Sequence, residues 1–173
     1  MTRFVALLGG INVGGHRVTM DRLRTEVSSL GYTDVVTFIA SGNVVFTAPA
    51  RGDHETRIAT HLGEALGWPA PTYLRTAAEI IATTDLRPFG ATPDGHTHMV
   101  AFCRADPSTA LIDAVAARST ADNRLEVHGR EVHWLIAGTL SDSKITLPQL
   151  VKLIGANTTR NITSLERLAL LVR

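Results

Sequence analysis

Two short segments carry the residue types best suited to chemistry. Gly9-Gly10-Ile11-Asn12-Val13-Gly14-Gly15-His16-Arg17 brings glycines, an amide, an imidazole and a guanidinium into one stretch, and Ala40-Ser41-Gly42-Asn43 adds a hydroxyl and a second amide. Glycine lets backbone N–H groups approach a guest closely, and a cation beside those donors suits an anion. The expected ligand-binding set is therefore Gly10, Asn12, Gly14, Gly15, His16, Arg17, Ser41, Gly42 and Asn43. The spacing is neither G-x-G-x-x-G nor a P-loop, which ends in Gly-Lys-Ser/Thr, so it names no nucleotide class. The plainer alternative is that these glycines only permit positive φ in tight connections.

Later polar groups extend the set. Lys144 offers a point charge and Arg160 a planar clamp for a carboxylate or phosphate, with Asn161 beside it. Asn161 equally suits a helix N-cap, and Arg160 an ion pair that anchors the terminal helix. Ser41 and His16 are the one Ser–His pair worth testing for nucleophilic catalysis, but no elbow motif or third member accompanies them. Cys103 lies in an apolar strand, where a small buried hydrophobe is its default role. No catalytic residue is assigned and no cofactor is implied.

Histidines invite a metal. With Gly129-Arg130 as a turn, His128 faces Glu131 and Glu126 faces His133 on one face of a hairpin. Cross-strand charge pairs on a solvated face explain this more simply than a divalent ion. His96 and His98 begin a strand after a loop, and His54 and His61 read as solvated positions on a helix. No metal site is expected.

The elements that must position these groups alternate regularly. Arg3–Leu8 reads as a strand, followed by a helix over Met20, Leu23, Val27 and Leu30 with Thr19 as N-cap. Val35–Ile39 and Val44–Thr47 form a hairpin, and a second helix over Ile58, Leu62 and Leu66 leads to a short strand at Thr72–Arg75. The order is βαββαβ, which implies a four-stranded antiparallel sheet with two helices on one face. After a brief helix near Ala77–Thr84, the second half nearly repeats it. It offers a strand at His98–Arg104, a helix after Asp106-Pro107 through Arg118, a hairpin at Arg124–His128 and Glu131–Ile136, and a helix opened by Thr146-x-x-Gln149. Thr163-x-x-Glu166 predicts the start of a terminal helix. The strand runs hardly alternate with polar residues, so both sheet faces should be covered, the second half being the obvious cover. The expected fold is α+β: two fused ferredoxin-like units sharing a core, the second degenerate. Their expected extents are residues 1–87 and 88–173, divided near the Pro/Gly-rich stretch Pro88–Gly95.

In the first unit strands one and two run the same way, with a helix returning between them. Their exits therefore share one edge of the sheet, which brings the Gly10–Arg17 loop to the Ser41–Asn43 tip beside a helix N-terminus, a favourable place for an anion.

Composition narrows the classes. The chain has 173 residues, 45% apolar, 19% charged and 5% aromatic, with a net charge of +1. That suits one compact globule, and no basic field advertises nucleic acid. No apolar run approaches the ~20 residues of a bilayer span, and the N-terminal run is too short for a signal-peptide core, so a cytoplasmic location and no membrane partner are expected. A single cysteine excludes an intrachain disulfide framework. The RNA-recognition module shares the βαββαβ order but needs exposed aromatics on its sheet, which these covered strands do not offer.

Ala6-Leu7-Leu8-Gly9-Gly10-Ile11-Asn12-Val13-Gly14-Gly15-His16 resembles the signature ALLRGINVGG of a widespread bacterial family of unknown function. The resemblance continues in Phe38-Ile39-Ala40-Ser41-Gly42-Asn43-Val44-Val45-Phe46, similar to the family's YIQSGNVVF, and resumes at Ser143-Lys144 and Thr158-Thr159-Arg160-Asn161. Gly9 stands where the family usually has Arg, Ala40 where Gln is common and Ile162 where Trp is usual. If that Arg binds a ligand in relatives, this chain either lacks the contact or supplies it from Arg17 or Arg160. The resemblance implies paired ferredoxin-like units and no established activity. The expected function is binding, with or without turnover, of an anionic small molecule such as a nucleotide or phosphorylated metabolite at the glycine-rich edge. The alternatives are a protein-interaction or homodimer module and, third, nucleic-acid binding through loops.

Overall fold

A computed structural model describes residues 1–173. Its first half runs β1 (Thr2–Leu8), α1 (Met20–Ser29), β2 (Thr33–Phe38), β3 (Asn43–Ala48), α2 (His54–Leu66), β4 (Thr72–Thr76) and α3 (Ala77–Leu86). The second half repeats the order as β5 (His96–Cys103), α4 (Thr109–Arg118), β6 (Asn123–His128), β7 (Glu131–Ala137), α5 (Leu147–Ile154), β8 (Asn157–Asn161) and α6 (Ile162–Val172), with a single 3-10 turn at Leu140–Asp142. Two antiparallel four-stranded sheets result, ordered β2-β3-β1-β4 and β6-β7-β5-β8. Both are ferredoxin-like.

The chain divides into two compact units, Met1–Ile81 with Leu168–Arg173, and Ala82–Arg167. In the first, Phe4, Ala6, Leu8, Val44 and Phe46 point to one sheet face and pack with Leu23 and Val27 of α1 and Ile58 and Leu62 of α2. The opposite face is also out of water: Val5, Leu7, Val45, Tyr73 and Arg75 are buried. In the second, Ala101, Leu125, Val132, Trp134 and Ile136 pack with Val115, Leu150 and Ile154. Its opposite face is buried but polar, holding His98, His133, Thr158 and Arg160 with Val100 and Phe102.

Four details differ from the sequence expectation. β8 reads Asn-Thr-Thr-Arg-Asn and has no apolar residue to announce it; its pairing with β5 places Thr158 and Arg160 on the buried face. The terminal helix begins at Ile162, not at Thr163, because the Asn161 carboxamide oxygen accepts the Thr163 N–H at 2.9 Å. Ser108, rather than Asp106, caps α4 and accepts from Leu111 N–H at 3.2 Å, leaving Pro107 outside the helix. Finally, His54 and His133 are buried, not solvated. His54 joins Phe4, Tyr32 and Phe46 in an aromatic cluster, while the Glu126–His133 and His128–Glu131 pairs occur as the turn predicts.

Candidate functional site

Three connections meet where β1 ends. Leu8 N–H donates to Gly42 O at 2.9 Å, Gly9 N–H to Pro71 O at 2.7 Å, and the Asn12 carboxamide to Ala40 O at 3.0 Å. The Gly10–Arg17 loop and the Ser41–Asn43 tip are therefore in contact. The third connection, residues 67–71 between α2 and β4, was not among the expected site residues. Its signal was available: β4 pairs antiparallel with β1, with Thr72 opposite Leu8, so the approach to β4 reaches the same edge.

Much of this contact is structural. Asn12 Oδ1 accepts Val18 N–H at 2.9 Å while Nδ2 donates to Val18 O and Ala40 O, so the carboxamide is fully used as a clamp. Asn12 adopts φ 54°, a left-handed conformation that its short polar side chain tolerates. Asn43 is buried, and its Nδ2 donates to Phe38 O at 3.1 Å and Ser41 Oγ at 3.2 Å, closing the hairpin tip. Gly42 lies against Ile11: a Cβ there would stand 2.9 Å from Ile11 Cβ. Ile39 beside the tip has φ 52°, a strained backbone for a β-branched residue.

The outer part of the loop differs. Gly14 and Gly15 have φ 57° and 90°, and a Cβ on either would meet nothing within 4 Å, so the space above them is open. His16 N–H donates to Val13 O at 3.0 Å, but the amides of Gly14, Gly15 and Arg17 make no hydrogen bond within the chain and are exposed. The His16 ring stacks on Trp68 with centroids 4.6 Å apart and planes 19° from parallel. Arg17 is exposed, its guanidinium bonded only to His16 O at 3.1 Å. The start of α1 lies next along the chain, with Thr19 Oγ1 accepting Arg22 N–H. His16 makes no hydrogen bond to Ser41, so the Ser–His dyad does not form. At Gly9 an added Cβ would stand 3.0 Å from Pro71 Cγ, a position that leaves little room for a side chain.

The remaining expected residues belong to the second unit. Lys144 is exposed and pairs with Asp122 at 3.4 Å. Arg160 is buried on β8, donating to Thr158 Oγ1 at 2.8 Å and Thr159 O at 2.9 Å, and burial lowers its pKa to about 10. Asn161 caps α6. No group of three or more His, Cys, Asp or Glu side chains is placed to hold a metal ion. No helix is long and apolar enough to cross a membrane.

A conserved bacterial protein, SP0830 from Streptococcus pneumoniae, has a similar fold: TM-score 0.80 at 22% identity, covering 99% of this chain and 98% of that one. No curated protein matches the sequence. The family model described as protein of unknown function (DUF1697) matches residues 1–133, and the chain belongs to that family.

Proposed function

We propose that the first unit binds an anionic small molecule, a nucleotide or phosphorylated metabolite, at the outer loop Gly14–Arg17. The observation that carries this reading is the pair of exposed amides at Gly14 and Gly15, in successive left-handed residues with open space above them. Adjacent amides turned outward form a concavity with partial positive charge, and an anion is its natural guest. Arg17 supplies a full charge, and the His16–Trp68 stack offers a flat face beside it for a base or sugar. Asn12, Gly42 and Asn43 act as the frame. The strained Ile39 supports a tip held in place for a purpose other than stability.

Calorimetric titration of the full chain with AMP, ATP, glucose 6-phosphate and inorganic phosphate tests this. At least one phosphorylated compound should bind, quench Trp68 emission, and lose roughly tenfold or more in affinity in Arg17→Ala. Absence of binding by all four, or binding unchanged in both Arg17→Ala and Gly15→Val, rejects the reading.

A second reading rests on Val13, a residue 56% exposed in the outer loop. An apolar residue so placed suits a protein contact, including a homodimer. Sedimentation over a hundredfold concentration range, with Val13→Ser as control, decides it: a mass that rises in the parent chain and not in the variant favours it.

A further inference from the structure

The second unit contains a cavity of about 310 Å³ at the end of β5. It sits among the β5–α4 connection, the β6–β7 turn and the α5–β8 connection, the same three kinds of connection that meet at the end of β1. Here they leave a hollow. Its floor is apolar, formed by Cys103, Leu111, Val127, Val132 and Ile154. Arg104 and Arg130 line it as well, with Asp106 the one acid. The two arginines lie together: Cys103 N–H donates to Arg130 O at 2.8 Å, and the Arg130 guanidinium donates through Nη1 to the Arg104 carbonyl at 3.5 Å. Ser108 caps α4 at the same place, and the first turn of that helix carries no acid to neutralise its positive end.

A hydrated inorganic anion has no use for such a floor, and a neutral apolar molecule has none for two guanidinium groups. The volume falls at the small end of ligand pockets, ~300–1,000 Å³. We infer that this cavity binds a small organic acid with an apolar body, of which a medium-chain carboxylate is the simplest case. The chain lies on the Leu111–Val127–Val132–Ile154 floor and the carboxylate meets Arg104 and Arg130. This inference stands apart from the reading of the Gly14–Arg17 loop, and either can fail without the other.

Octanoate is the probe, titrated into the full chain by calorimetry, with 1-octanol and inorganic phosphate as controls. Cys103 is the chain's one thiol and lines the cavity, so its alkylation by iodoacetamide reports where the probe sits. Octanoate should bind with a Kd of about 1 mM or tighter and slow Cys103 alkylation about fivefold or more at saturation. Octanol and phosphate should each bind at least ~10-fold more weakly, because each keeps only half of the recognition. Arg104→Gln should weaken octanoate roughly tenfold, whereas Asp106→Asn, which removes a like charge, should tighten it about twofold. Leu111→Trp, which fills the hollow, should abolish binding and also protect Cys103 without any ligand. No octanoate heat up to about 10 mM, binding that leaves Cys103 alkylation unchanged, or octanol binding as well as octanoate overturns the inference. Asp106→Asn keeps the test decisive if an arginine variant misfolds, since equal or weaker octanoate binding in that variant also overturns it.

Discussion

His98 Nε2 lies 3.0 Å from His133 Nδ1, and both side chains are buried. The pair can share one proton, and either arrangement leaves His133 Nε2 without a partner. Burial lowers the His98 pKa to about 4; burial, together with the charges of His98 and His128, lowers that of His133 to about 3. An unfolded histidine titrates near ~6.5. Below that value the unfolded state takes up protons that the folded state refuses, so stability falls as pH drops from about 6.5 toward 4 and then 3. The slope reaches ~1.4 kcal/mol per pH unit for each histidine. Urea unfolding between pH 7.5 and 4.5 should show this loss, and His133→Gln should remove close to one histidine's share of the slope. These positions also mark a limit of what the residues alone disclose. The turn at Gly129-Arg130 correctly opposes Glu126 to His133, but whether that face meets water depends on what covers it, which no strand's own alternation records. His54 is a parallel case: its Nε2 donates to Pro49 O at 2.9 Å, and Tyr32 OH lies 3.1 Å from Nδ1, partners from outside its helix. Asn12, an expected site residue, has its carboxamide spent on holding two loops together. Asn12→Ala removes the bonds to Val18 and Ala40 and should cost about 1–3 kcal/mol by chemical denaturation, since it unties the loop from the hairpin tip.

Among the elements, β1, α1 and the β2–β3 hairpin were legible because their apolar periods and caps agree. Thr19 caps α1, Gly67 ends α2 with φ 81°, and Thr146 with Gln149 opens α5 in a capping box. β8 was not legible: its strand signal reduces to two threonines, and its buried face carries Thr158 and Arg160 in place of aliphatics. The same segment shows how one residue serves two elements, since Asn161 ends β8 and caps α6. Asn161→Ala should lower stability by about 1 kcal/mol. The loops also divide by element. Gly42 must bear both a positive φ and Ile11 at 2.9 Å from any added Cβ, whereas Gly14 bears only the φ. Gly42→Ala should therefore cost ~2–3 kcal/mol and Gly14→Ala only ~1 kcal/mol, a difference readable in paired thermal melts. That contrast separates the frame from the proposed site. Chain order brought the loop to the tip; it could not say that Asn12 is consumed in joining them and Asn43 in closing the tip, leaving Gly14–Arg17 to face outward.

At the scale of the whole molecule, the repeated order of elements was visible in the sequence, and so was burial on both faces of the first sheet, from runs such as Phe4–Leu8 that do not alternate. The assignment of the last residues was not. Leu168–Arg173 group with the first unit although they follow the second, and Leu168, Ala169 and Val172 are buried. Their apolar period predicts a helix but not the unit it joins. Deleting Leu168–Arg173 should cost the first unit about 3–5 kcal/mol, the scale of losing a large buried aliphatic and its neighbours. Amide exchange, resolved by unit, should show the loss in residues 1–81 ahead of residues 82–167. This arrangement also bears on biosynthesis. A nascent chain usually folds domain by domain as it leaves the ribosome, N-terminal portion first. Here residues 1–81 are completed by Leu168–Arg173, which are made only after residues 82–167, so consolidation of the first unit follows synthesis of the second, and a chain stalled before Leu168 leaves the first unit without its closing segment.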